Sequence, residues 1–444
     1  MQAGFGKIDI TPRVGVELCG FGPFLNRKSI AVRDRLWARA VALRAGGTTL
    51  VLASCDIIGV TRSITAQVRN LVGATTGLPA EAVMVHCTHT HSGPATQPIH
   101  GWGVADPPYL AILPHRIARA CIEAIGDLTE ATLAHAEVPC RGVALNREYD
   151  KDAPPLEEVL RDDWQPAKPE LVDATCHVLS VRAGERLLGF ISYYGCHPVV
   201  CCETTRYIHG DYAGVATNLL ERENPGAVGL FLQGAQGDIN SCVVHKPEPE
   251  ALLALDIIAA RYANAVRAGM AAARPVGVGE LRSELREVRF PERSIGLDRL
   301  REWLAEQEAI FAAPEASDAD REVRMAAVYA ESLRGIIPRI ESGQLSRTPT
   351  ELHGFRVGPI AFLGTPFEMF RAIKCEVVEQ SSAPVTLVMG LTNDSNGYAA
   401  DRATAARGGY AQDMVPLMLG VLPYEDIHTN LVRELAALEE ALRP

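Results

Sequence analysis

The feature that most constrains this chain is a recurrence of short apolar runs, each stopping at Gly, Pro or a polar residue. They cover residues 50–55, 82–87, 175–181, 187–194, 228–232, 357–363 and 385–389. Runs this short, rich in Val, Ile, Leu and Ala, suit strands buried on both faces rather than long helices or membrane spans. Between them, residues 61–72, 109–125, 212–223 and 251–273 carry apolar side chains at three-and-four spacing, the signature of helices packed on a sheet. The alternation predicts an α/β fold, a large mixed sheet with flanking helices. All 444 residues (1–444) are read as one domain carrying two peripheral insertions. Residues 150–170, rich in proline and charge, read as an exposed loop. Residues 297–345 read as two helices broken near Pro314 and Ser317-Asp318, a hairpin that either covers the site or decorates its rim. Residues 428–442 form an amphipathic helical pattern, and no tandem repeat is visible.

Charge and cysteine usage narrow the function. Lys and Arg number 43 against 54 Asp and Glu, a net charge of −11 with no basic block, which excludes a nucleic-acid footprint. The first residues lack the apolar core of a signal peptide, and the best apolar stretch, residues 50–60, is broken by Asp56. No stable membrane insertion is therefore expected. The eleven cysteines are scattered, with Cys201-Cys202 adjacent and no C-x-x-C pair, which disfavours a disulfide framework or a zinc knuckle. A cytoplasmic protein with reduced thiols is the expectation.

Three segments carry chemistry. The first runs from an apolar strand into Thr88-His89-Thr90-His91-Ser92-Gly93-Pro94. Strand alternation predicts His89 and His91 on one face at a carboxyl end, a start for a metal site, with a hydrogen-bonded turn as the plainer alternative. The second delivers His197 before Pro198 at another strand end. The third, Gln233-Gly234-Ala235-Gln236-Gly237-Asp238-Ile239-Asn240, is a small-residue loop that lines a ligand or simply turns tightly. Glu368 follows a strand and either caps a helix or supplies an oxygen, and the Asn396-Gly397 turn precedes Tyr398. Asp211 is expected to cap the helix that starts at Tyr212, and Asp56 ends its strand in a structural or supporting role. Cys196, Cys201 and Cys202 flank His197, but nothing in the sequence lowers a thiol pKa there, so a thiol nucleophile is disfavoured.

In this order the segments resemble the catalytic domain of the neutral/alkaline non-lysosomal ceramidases. The opening Gly4-Phe5-Gly6-Lys7-Ile8-Asp9-Ile10-Thr11-Pro12 is similar to that family's start, and Arg35-Leu36-Trp37-Ala38-Arg39-Ala40 to its R-x-x-A-R-A strand. Residues 88–94 match its T-H-T-H-S-G-P motif residue for residue, and His197-Pro198 sits in its second histidine motif. The resemblance runs in islands to about Tyr410. It implies a zinc ion (Zn2+) held by His89, His197, Glu368 and Tyr398, with His91, Arg147, Tyr410 and Asn240 serving the reaction. Asn240 stands where the family places a serine, with Ser241 next to it, so the resemblance does not extend to a serine-dependent mechanism. The family also carries a C-terminal immunoglobulin-like domain that this chain is expected to lack, so ceramide itself is not the expected substrate.

The implied function is zinc-dependent hydrolysis of an amide (N-acyl) bond in a soluble small molecule, zinc polarising the carbonyl and lowering the pKa of water to roughly 7. A zinc esterase or lactonase would use the same groups. A metal-dependent lyase or isomerase, and a non-catalytic metal- or ligand-binding homologue, are the remaining alternatives. The expected partner is a small-molecule substrate, with homo-oligomerisation left open.

Overall fold

The computed structural model describes residues 1–150 and 154–443. Its first half holds two five-stranded sheets. The first contains β1 (Gln2–Asp9), β2 (Trp37–Ala45), β3 (Thr48–Cys55) and β4 (Val83–Cys87), in the order β4-β3-β2-β1 with Thr129–Glu130 at the edge. Helices α1 (Arg62–Thr76) and α2 (Pro107–Gly126) cover one face of it, burying Val68, Val72, Leu113 and Ile117 against Ala40, Val51 and Val85. The second sheet contains β5 (Thr132–Pro139), β6 (Thr175–Ala183), β7 (Arg186–Tyr194) and β8 (Val228–Gln233), in the order β8-β7-β6-β5 with Arg274–Val276 at the edge. Its outer face is covered by α3 (Asp211–Glu223) and α4 (Glu248–Ala272), through Ala213, Ala216, Ile258 and Tyr262.

The remainder builds a four-stranded sheet with an inserted hairpin. Strand β9 (Leu281–Val288) leads to the helices α5 (Leu297–Ala312) and α6 (Arg321–Glu341), after which β10 (Thr350–Val357) and β11 (Ile360–Gly364) follow. Then come the short strand β12 (Glu368–Met369), α7 (Arg371–Gln380), β13 (Val385–Met389), the short strand β14 (Tyr398–Ala399) and the terminal α8 (Ile427–Ala441). The sheet order is β9-β10-β11-β13, and β12 pairs with β14. A shared core lies between the three sheets, where Phe5, Met84, Leu179, Tyr193, Leu230, Phe355, Phe362 and Met389 meet. The mixed α/β class is as expected, its strands divided over several sheets rather than collected in one.

Each of the three sheets contains one parallel pair: β3 with β4, β7 with β8, and β11 with β13. Parallel strands send their carboxyl ends the same way, and open α/β sheets place their sites outside those ends. All the motif loops except the one carrying Arg147 leave from these strands or from the short parallel pair β12 and β14.

Two sequence expectations need correction. The run 357–363 is not one strand. It is the hairpin β10-β11, turned at Gly358, whose φ of 55° favours glycine. Residues 150–170 are not wholly exposed, since Val159 and Trp164 are buried in the core under α4. Residues 151–153 of that segment lie outside the described residues. The hairpin 297–345 forms as expected, and α6 packs Met325 and Val328 into one apolar cluster with Trp102 and Tyr398. Among the described residues no helix is long and apolar enough to cross a membrane.

Candidate metal centre

Strand β4 ends at Cys87, so strand alternation does not place the two histidines of the first motif. They lie in the following loop, where His89 adopts a left-handed backbone with φ of 72°. That conformation is uncommon for a residue other than glycine and is found at functional sites. The His89 N–H donates to the Ile57 carbonyl, and its ring Nδ1 lies 2.6 Å from the Ile58 carbonyl. The twist re-aims His89 so that it meets His91, with ring centroids 4.7 Å apart. His197 arrives from the end of β7, 5.1 Å from the His89 ring and 5.8 Å from that of His91.

The three rings share one arrangement. Nδ1 of His89 faces the Ile58 carbonyl at 2.6 Å, that of His197 the Gln236 carbonyl at 2.6 Å, and that of His91 the Gly20 carbonyl at 3.1 Å. A carbonyl only accepts, so each Nδ1 carries the proton and each Nε2 presents a lone pair. Nε2 of His89 and of His91 are buried without a hydrogen-bond partner. Glu368, at the start of β12, puts Oε2 2.9 Å from Nε2 of His197 and 3.3 Å from Nε2 of His89. It does not cap a helix. Burial holds His91 well below the ordinary imidazole range, and brings His197 down to about 4. Burial alone would raise the Glu368 carboxyl, and a positive charge at His89 or His197 outweighs this and pulls it well below its usual range. Buried lone pairs from neutral imidazoles beside an ionised carboxylate are the donor set a divalent transition metal requires, and the carbonyls behind them are the usual supporting partners.

Two other histidine groups among the described residues come within metal-ligating distance but fail this test. His135 and His177 have N···N 3.2 Å and centroids 5.5 Å apart, nearly coplanar at 18°. Those values describe an in-line N–H···N bond, in which the two nitrogens face one another instead of a third point. In the group of Cys201, His209 and Asp211, the Asp211 N–H donates to Nδ1 of His209. The ring proton therefore sits on Nε2, and neither nitrogen offers a free lone pair. Asp211 is not the helix cap expected of it. Gly210 holds that place, and the Asp211 carboxylate accepts from the N–H groups of Val200, Cys201 and Tyr212 instead.

The other expected site residues gather beside Glu368. Tyr398 pairs with Glu368 in the β12-β14 register, and its ring lies 6.3 Å from that of His197. The Arg147 guanidinium stacks 5.0 Å from the Tyr398 ring and 6.0 Å from that of Tyr410. Burial opposes its charge, but the Tyr398 hydroxyl and the Glu368 field keep it protonated. Tyr410, 44% exposed, stands outermost. Asn240 bridges to His197 in the backbone, and its Oδ1 is buried without a partner. Ser241 turns away, its Oγ accepting from the Val243 N–H at 3.3 Å.

Further residues support the site, Gln233, Gly237 and Asp238 from within the third segment and Arg27 from outside every motif. Gln233 receives little room for error: its N–H donates to Nε2 of His86, and its side-chain amide donates to the carbonyl of Cys196 at 2.9 Å. It thereby joins the strands that deliver the first two histidine motifs. Arg27 is buried and donates to the carbonyls of Cys19, His91, Cys202 and Thr205, fixing the backbone behind His91. Asp238 accepts from the Arg371 N–H at 2.7 Å and from Asn146 at 3.0 Å, which holds the Arg147 loop against the third motif. Gly237 has no room for a side chain, because a Cβ there would lie 2.5 Å from the Glu368 carbonyl.

A mixed α/β scaffold whose strand ends converge on three imidazoles and a carboxylate presents a candidate metal centre. Residues 1–246 match the family model of the neutral/alkaline non-lysosomal ceramidases, N-terminal region, and the chain belongs to that family. A neutral ceramidase of Pseudomonas aeruginosa is 27% identical over 259 residues, which is 55% of this chain and 37% of that relative. The chain thus matches little more than a third of its curated relative's length. The crystal structure of neutral ceramidase from Pseudomonas aeruginosa superposes on 99% of this chain and 74% of its own, with a TM-score of 0.76 at 21% identity. A ceramidase complexed with C2 superposes on 100% and 75%, with a TM-score of 0.77 at 20% identity. These superpositions extend the shared fold to the third sheet and the hairpin.

Proposed function

We propose that this protein is a zinc-dependent hydrolase that cleaves an amide (N-acyl) bond of a soluble small molecule. The observation that carries the reading is the convergence of imidazole lone pairs on the Glu368 carboxylate, each Nδ1 proton held by a backbone carbonyl. His89, His197, Glu368 and Tyr398 would hold the metal. His91 is kept out of the ligand set because Oε2 of Glu368 approaches only the other two imidazoles. Zinc in such a site polarises a carbonyl and makes water a nucleophile near neutral pH.

The chain's own residues complete the chemistry. Nε2 of His91, neutral and unpartnered, accepts a proton from attacking water and returns it to the leaving amine. Arg147, charged and stacked on two tyrosine rings, faces the oxyanion that develops at the carbonyl. Asn240 positions the substrate through its amide, and cannot act as a hydroxyl nucleophile. The eleven free cysteines, ten of them buried, support a reducing cytoplasmic setting.

Metal analysis of the purified protein and a panel of N-acyl amines, amino-acid amides, esters and lactones test the reading. The expected result is one zinc per chain, amide cleavage, and one ¹⁸O atom from labelled water in the acid product. Turnover without ¹⁸O incorporation would establish a lyase or isomerase instead, and preference for esters or lactones would reassign the substrate.

A further inference from the structure

Arg147, the cation assigned to the developing oxyanion, is followed directly by a carboxylate. Residues Asn146 to Tyr149 form a turn, closed by the Tyr149 and Asp150 N–H groups on the Asn146 carbonyl, with Arg147 and Glu148 as its central residues. The Asn146 side chain fixes this turn, accepting from the Glu148 N–H at 3.0 Å and donating to Asp238 at 3.0 Å. Adjacent side chains of opposite charge do close on one another elsewhere in the chain, Arg433 on Glu434 at 3.1 Å and Arg33 on Asp34. Arg147 and Glu148 do not. Among the described residues Arg147 has no carboxylate oxygen within 4.0 Å, and its guanidinium lies against the Tyr398 and Tyr410 rings. Glu148 turns instead to Arg407, whose Nη2 donates to its Oε2 at 3.0 Å. Arg407 ends the short helix Arg402–Arg407, and the same Nη2 donates to Oγ1 of Thr404 at 3.0 Å, which holds the guanidinium from its own helix as well.

We propose that Arg407 is a positioning residue, which holds the Glu148 carboxylate and so keeps Arg147 free to face the oxyanion. A carboxylate paired with Arg147 would occupy its donors and cancel the positive charge that the reaction uses. Glu148 sits one residue away and has no other cation within 4.0 Å among the described residues, so Arg407 decides which guanidinium it meets. The Arg407 side chain is 51% exposed, and an ion pair of that kind adds little to stability. Its consequence lies in the charge left on Arg147, and the assignment rests on the role given to Arg147 in the amide-hydrolase reading.

The test uses Arg407→Gln, Glu148→Gln and the double variant, each crystallised with zinc and assayed on the amide that the parent cleaves fastest. Arg407→Gln should bring a Glu148 carboxylate oxygen within 4.0 Å of the Arg147 guanidinium. Its kcat should fall about tenfold or more, part of the roughly 10²–10³ that loss of an oxyanion donor costs. Glu148→Gln releases no carboxylate and should stay within about twofold of the parent, and the double variant should return to within about threefold. That rescue separates the two roles, because an ion pair that merely braced the fold would slow both single variants and leave the double no better. Arg147 left unpaired in the Arg407→Gln structure, equal losses in the two single variants, or no rescue in the double would overturn the proposal. The structures decide the pairing whatever the substrate, so a parent without amide turnover would defeat the hydrolase reading alone.

Discussion

Replacing Arg39 by Leu should be among the most damaging changes available far from the reacting centre. Arg39 is 2% exposed on β2, and its guanidinium joins two buried carboxylates. Nη1 donates to Asp56 at 2.7 Å, Nε to Glu221 at 3.0 Å, and Nη2 to Asn218 at 2.6 Å. The carboxylates do not suffer equally when it is lost. Glu221 keeps Lys7 at 2.6 Å and the Gly229 N–H, while Asp56 keeps only the Trp37 N–H at 3.0 Å. Breaking a buried pair by removing one partner costs about 3–5 kcal/mol, because it leaves an uncompensated charge in a dry site.

The sign of the pH dependence follows from Asp56. Burial already raises its carboxyl above the usual range, more than Arg39 pulls it down, so removal of Arg39 raises it further. An acid whose folded pKa exceeds its unfolded value loses stability as pH rises between the two, and regains it on acidification. The deficit of Arg39→Leu relative to the parent should therefore shrink between pH 7.5 and pH 5.5, by at least about 1 kcal/mol if one proton is taken up across a pH unit. The assay is urea-gradient pulse proteolysis at both pH values, with Arg39→Leu/Asp56→Asn as the companion variant. The double variant should recover most of the loss, since it removes the stranded charge. A deficit below 1 kcal/mol, a deficit independent of pH, or a double variant no better than the single one would refute the reasoning.

Further outcomes follow from the site. His89→Ala and His197→Ala should lose bound zinc together with activity, measured by metal analysis, whereas His91→Ala should keep most of its metal and lose rate. Retention of full occupancy without His89 would show that the ligand set is wrong. Ser241→Ala should leave kcat within about an order of magnitude, because its Oγ is committed to the Val243 N–H, while Asn240→Ala should cost on the order of 10²–10³. A covalent adduct on Ser241 detected by mass spectrometry would contradict the first of these. Gly237→Ala must push the Glu368 backbone away, and should weaken zinc affinity by roughly 10–100-fold in a chelator competition.

Much of this architecture was legible because local physics and tertiary structure agree. The apolar runs became strands near their expected ends, and the three-and-four patterns became helices. The run 357–363 failed because its alternation hid a reversal whose signal was Gly358-Pro359. His89 and His91 were found by their motif, but for the wrong geometric reason. A period-two strand argument cannot anticipate a left-handed residue at the loop's start. Glu368 was noted after its strand as either a cap or an oxygen donor, whereas Tyr398, Arg147 and Tyr410 gained their roles through family resemblance alone, since an isolated Tyr or Arg after a strand is common. Arg27 left no local trace, and Gln233 and Arg39 appeared only as members of a quoted segment, because the partners that give each its role lie mostly tens to hundreds of residues away.

The decisive property of the site is of this last kind. Among the described residues three groups, one of histidines alone and two that add a carboxylate or thiol, are close enough to hold a metal, and composition does not rank them. Their tautomers do. Where each Nδ1 meets a carbonyl, the ring must donate there and the opposite nitrogen is left with a lone pair. Where Nδ1 meets an N–H, as in His209, the proton is forced onto Nε2 and ligation is lost. The carbonyls that set this choice belong to Gly20, Ile58 and Gln236, none of which carries chemistry in its side chain at the site. Gly20 and Ile58 lie in segments close to β1 and β3, and Gln236 follows β8. The candidate metal centre is thus specified by the backbone of the scaffold as much as by the histidines themselves. A substitution that shifts those loops without touching any ligand, such as Gly237→Ala, is expected to act on metal affinity for that reason.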